Sequence, residues 1–217
     1  MKPKIIGLAM KKNPLHFLMP LATVYIILPL IACSSFNRYG AEQSSYIVIF
    51  AAQSTIPVTC LLLPMAHFNL WLGNDGWEAI VSCTSKSHAC AEGVVILFLS
   101  YTTMLIPTFF LFYTIYGFGL LEFLRLCSQC LFVMSTYYFC TIICRNVTLG
   151  SLPVVVYLFL CLCLYDRPEY KVFSILDLSN FANPMSILNY LVLCCIAIML
   201  LWCAAKLENS QFTFFGN

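Results

Sequence analysis

The chain has 217 residues, of which 61% are hydrophobic and only 9% charged, with a formal net charge of +2. A soluble domain gives about a quarter of its residues to charge, so this composition excludes a water-covered globule and describes a polytopic membrane protein. The net charge by itself says nothing about nucleic acid, which is not expected as a partner.

A bilayer core takes about 20 apolar residues per helix. Six runs meet that length, at approximately 15–33, 46–66, 93–116, 124–144, 147–165 and 185–205. Transmembrane strands would need alternating segments of about 10 residues, whereas these runs are continuous. The expected fold is an all-α polytopic membrane protein, a single transmembrane domain over 1–217 with six transmembrane helices.

Before the first run, MKPKIIGLAMKKNPLHF sets Ile5, Ile6, Leu8 and Ala9 among lysines, a pattern that can lie in the interface against membrane lipid. The first run ends in LIAC at Cys33, which mimics a lipoprotein signal, but His16, Pro14, Pro20 and Pro29 within it favour an ordinary span. SSFNRYGAEQSS (34–45) follows as a short, polar, unpatterned loop. Span three leaves through Gly117 and Gly119, after which Glu122 and Arg125 are spaced to pair on one helix face. Cys127 and Cys130 form a C-x-x-C inside a span, where thiols pack as small apolar side chains. CRNVTLG (144–150) makes a tight turn that includes the sequon Asn146-Val147-Thr148. In the outer loop 166–184, VFSILDL is apolar enough to dip into the interface, and Pro184 marks the start of the last helix.

Charge sets the orientation. With the N-terminus inside, Lys2, Lys4, Lys11, Lys12, Lys86, Arg145 and Lys206 fall on the cytoplasmic side, against Arg38, Arg125, Arg167 and Lys171 outside. That excess obeys the positive-inside rule and places both termini in the cytoplasm.

Between spans two and three lies a polar stretch, approximately 74–90, that is more than a linker. Asp75 and Glu78 have capping-box spacing. Trp77, Ile80, Val81 and Thr84 recur at helical spacing and give one apolar stripe. Ser85 and Lys86 interrupt the stripe, and Ser87 can cap a second helix running into span three. The pattern predicts a short helix along the cytoplasmic face with Lys86 presented at a turn. Such a helix either rests in the headgroups or docks into another protein.

GWEAIVSCTSKSHACAEGVVILF (76–98) resembles the coupling helix of ABC-2-type permeases, the membrane subunits of a class of ATP-binding-cassette transporters. RNVTLGSLPVVVYLF (145–159) and LSNFANPMSILNYL (178–191) resemble that family's fourth-to-fifth span junction and the entry to its last span. CTSKSH replaces the Pro-x-Ser/Thr-Arg that often follows the family's apolar stripe, with Lys86 in the basic place. The resemblance implies that Trp77, Glu78, Ile80, Val81, Ser85 and Lys86 dock on a cytoplasmic ATPase subunit, which binds the ATP and Mg. It also implies a second permease chain, identical or paralogous, and a place in the bacterial cytoplasmic membrane. These residues carry no G-x-x-x-x-G-K-[ST] phosphate loop of their own.

The middles of the spans lack Asp, Glu, Lys and Arg, which argues against a proton antiporter or ion channel. Polar residues for a substrate path are Gln53, Ser100, Thr102, Thr103, Ser135, Thr136 and Asn189. So sparse a set favours a hydrophobic or amphipathic cargo, such as an antimicrobial peptide, a drug or a lipid-like molecule, and the family resemblance implies that it is exported. His16, His67 and His88 form no metal or catalytic motif, so enzyme activity in this chain is not expected. The alternative is a non-transporting membrane anchor or immunity protein without ATPase coupling.

Overall fold

The computed structural model describes residues 11–72, 89–165, 167, 174–176 and 187–215. All secondary structure among them is helical: α1 (Pro14–Ala22), a π-helical turn (Thr23–Ile27), α2 (Leu28–Cys60), α3 (Leu62–Leu72), α4 (Ala89–Tyr116), α5 (Leu120–Cys144), α6 (Val147–Cys163) and α7 (Ile187–Phe215). Four helical runs, Pro14–Asn69, Cys90–Tyr116, Leu120–Cys144 and Ile187–Glu208, are long and apolar enough to cross a membrane, and Val147–Cys163 is a shorter apolar helix.

Proline shapes the first run. Pro14 opens α1 at a position where its missing N–H costs nothing. Pro29 cannot donate to the carbonyl of Tyr25, and the preceding turn widens so that Leu28 N–H reaches Thr23 O instead. Side chains of α4 use the carbonyls that the widened turn and the helix after it present. Thr108 Oγ1 donates to Val24 O at 3.1 Å and Tyr116 Oη to Ala32 O at 2.8 Å. Tyr25 Oη returns a bond to Met104 O at 2.9 Å. The first helix and α4 are therefore stitched side by side, running in the same direction.

The expected loop at 34–45 is helical almost throughout, which corrects the sequence expectation. Its polar residues cap locally: Ser44 Oγ donates to Gly40 O and Ser45 Oγ to Glu42 O. The helix breaks at one residue, Gly40 (φ 77°, ψ 177°), a conformation that a Cβ disfavours. Phe36 packs on Tyr116, whereas beyond the break Phe50 packs on Tyr165 and Phe68 on Tyr138. These pairings require the chain to reverse direction about Gly40. A hydropathy window registers the polar side chains there but not their bonds to their own helix.

α5 forms the centre of the bundle: 61% of its apolar window is buried, against 11% for that of α7. Its inward face presents Leu126, Cys130, Val133, Met134, Tyr137 and Tyr138. Cys130 is buried against Cys60 of α2, and both are free thiols. α7 runs to Phe215, beyond the expected end of the last span at 205.

The α5–α6 hairpin is as tight as its sequence suggests. Arg145 takes a left-handed conformation (φ 50°), and Asn146 caps α6 by accepting from Thr148 N at 2.9 Å and Leu149 N at 3.1 Å. The sequon asparagine thus serves as the helix cap. Asn146→Ala removes that acceptor and is expected to cost about 1 kcal/mol, measurable as a lower unfolding midpoint of the purified chain, with Asn146→Asp close to the parent.

The described part of the long loop before α7 lies against the bundle. Gln129 Nε2 donates to Ile175 O at 2.7 Å, and Leu176 is buried against Tyr157 and Cys161 of α6. Gln129 stands nine positions into α5, so Ile175 lies about 13 Å along that helix from its start. The described part of the VFSILDL stretch, residues 174–176, therefore dips inward.

Candidate functional site

The proposed docking residues Trp77, Glu78, Ile80, Val81, Ser85 and Lys86 lie outside the described residues. What flanks them is described. α3 leads into residues 73–88 and α4 leads out of them; at that end α3 packs on α5 through Phe68, and α4 meets α7 through Cys90.

Phe68 of α3 stacks on Tyr138 of α5, with ring centroids 5.5 Å apart and planes 25° from parallel, and meets Tyr137 edge-on at 5.7 Å. The Tyr138 hydroxyl donates to the Glu208 carboxylate of α7. The Cys90 thiol, in the first turn of α4, hydrogen-bonds to the same carboxylate. Tyr138 is fully buried, Cys90 is 1% exposed and Glu208 3%. A carboxylate in so apolar a setting requires donors, and two different helices supply them. Four helices thus converge on one acidic group where residues 73–88 attach.

The opposite end of α5 holds a second buried charge pair. Arg125 Nη2 donates to Glu122 Oε2, with Arg125 1% and Glu122 5% exposed. The pairing matches the expectation from their spacing, but the groups are enclosed by the bundle instead of sitting at a wet boundary. Glu122 lies in the first turn of α5, where the helix dipole favours an anion.

The polar residues expected to line a path do not converge. Ser100 donates to Ile96 O, and Thr102 and Thr103 both donate to Leu99 O. Ser135 donates to Leu131 O and Thr136 to Phe132 O. These hydroxyls bond back to their own helices, the usual fate of Ser and Thr in an apolar helix. Gln53 is buried within the bundle and Asn189 is exposed on α7. Thr102 and Thr103 share a hollow, a groove of about 280 Å³ between α4 and α5 lined also by Phe98, Ile106, Phe123 and Cys127. It is apolar apart from the two hydroxyls.

Glu208 was missed because it lies past the hydrophobic window that defined the last span. The signal was present in the order of the sequence: Ala204, Leu207 and Glu208 continue the helical spacing of α7 without a breaker. Comparison with protein-family models, curated proteins and solved structures finds no match to this chain in any of the three.

Proposed function

We propose that the chain is the membrane-spanning subunit of an ATP-binding-cassette exporter of the ABC-2 type, crossing the bacterial cytoplasmic membrane six times with both termini inside. The observation that carries this reading is the arrangement around residues 73–88. Of the two helices that this segment joins, α3 packs through Phe68 on Tyr137 and Tyr138 of α5, and α4 meets Glu208 of α7 through Cys90, so a displacement of the segment would reach the centre of the bundle through them. The reversal about Gly40 supports six crossings, since it divides the first apolar run into two antiparallel lengths.

On this reading the ATPase is a separate subunit holding ATP and Mg, and a second permease chain completes the assembly. Closure of the ATPase pair around nucleotide presses on Trp77, Glu78, Ile80, Val81 and the Ser85–Lys86 turn. That contact must differ in energy between the two states for work to be transmitted. Trp77 is the anchor, because buried aromatics dominate interface energetics. The apolar groove at Thr102 and Thr103 suits a hydrophobic or amphipathic cargo better than a charged one.

Purification of the chain from its native membrane tests the assignment. A partner carrying a phosphate loop, with nucleotide hydrolysis, is the expected result. Trp77→Ala and Glu78→Lys should release that partner or abolish transport while the chain remains inserted. Purification of the chain with no nucleotide hydrolase would favour the anchor or immunity reading.

A further inference from the structure

The Glu208 cluster sits at the mouth of the 73–88 segment and takes no part in the groove at Thr102 and Thr103. We infer that Glu208 is the acceptor of a two-donor clasp, closed by Tyr138 and Cys90, that fixes the ends of α3 and α4 to the last helix. Three observations meet in it. The Cys90 bond ties the first turn of α4 to α7. The Tyr138 bond ties α5 to α7. The Phe68–Tyr138 stack ties the last part of α3 to that same tyrosine. Tyr138 therefore works with both ends, its ring holding α3 and its hydroxyl holding α7.

The consequence is mechanical. A displacement of residues 73–88 either carries α7 along with α3 and α4 or separates Glu208 from its donors. An apolar contact at the same place would let the helices slide past one another with little directional preference. A carboxylate with two donors in a dry setting has a short range and a defined geometry, so it favours one arrangement of the helix ends. Tyr138 and Glu208 are positioning residues in this scheme, and they act on the segment through α3 and α4. The inference concerns the helix ends alone and is read without nucleotide or motor, so it survives even if no ATPase partner is found.

Amide hydrogen exchange of the full chain in lipid nanodiscs, followed by mass spectrometry, tests it. Glu208→Leu keeps the bulk and removes the acceptor. It should speed exchange in residues 92–97 and 204–208 by about tenfold or more, as a local opening would. Glu208→Gln, whose amide oxygen still accepts, should stay within about threefold of the parent. Tyr138→Phe retains the stacked ring and should give an intermediate increase, with no further increase when combined with Glu208→Leu. Residues 126–133 of α5 should be unchanged throughout. Parental rates in Glu208→Leu, equal acceleration in the Leu and Gln variants, or acceleration extending through 126–133 would each overturn the clasp.

Discussion

Arg125→Ala is expected to destabilise the chain by about 3–5 kcal/mol, because it takes the guanidinium away from the buried Glu122 carboxylate. The geometry makes the penalty steep: the guanidinium and the carboxylate are both enclosed, one helical turn apart on α5. Glu122→Ala should be costly too, since Arg125 always carries its charge. Replacing both together, as Glu122→Gln with Arg125→Met, should recover most of the loss, because a buried pair contributes little beyond an apolar pair of similar volume. Equilibrium unfolding in mixed micelles of the parent, Glu122→Gln, Arg125→Met and the double variant reads the pair as a cycle. Equal and additive losses in the two single variants would show that the residues do not act as a pair.

The second large effect is expected at Gly150. A Cβ built there would lie 2.6 Å from Thr141 Cα and 2.8 Å from Thr141 N, which is backbone that cannot rotate away. Small residues let membrane helices approach closely, and this contact is where α5 and α6 do so. Gly150→Ala should therefore cost about 1–3 kcal/mol as an overpacking substitution, and Gly150→Val should prevent the hairpin from closing. Gly119→Ala is the control, because its Cβ would meet only Leu121 N at 3.9 Å. An unfolding midpoint for Gly150→Ala equal to that of Gly119→Ala would contradict the close approach.

Hydropathy located the helices well because burial in lipid is a property summed over a window. The expected spans at 93–116, 124–144 and 147–165 overlie α4, α5 and α6 with end shifts of a few residues. What a sum cannot register is pairing. Arg38, Glu42 and the serines of 34–45 lower the local average, yet helix continues through them apart from Gly40. Glu208 lies outside the apolar window, although the same helix carries it into the bundle. The π-helical turn is a product of Pro29 acting together with partners on α4, some 80 positions along the chain. No local spacing encodes such a partner.

The candidate site divides along the same line. The polar residues within spans were identifiable by type, but their exposure and their bonds to Ile96, Leu99, Leu131 and Phe132 depend on helix rotation, which neighbouring helices determine. The stripe of Trp77, Ile80 and Val81 that is proposed to dock is a periodicity of the sequence and lies outside the described residues. The Glu208 clasp required four helices to be assembled first.

The central claim is that residues 74–90 face the cell interior and are gripped there by a nucleotide-hydrolysing partner. A photoreactive amino acid placed at position 77 in living cells tests this without purification. The account predicts an adduct with a cytoplasmic protein that carries a phosphate loop, lost when Glu78→Lys is introduced in the same chain. Adducts with lipid alone, or with a protein on the outer face, would contradict it.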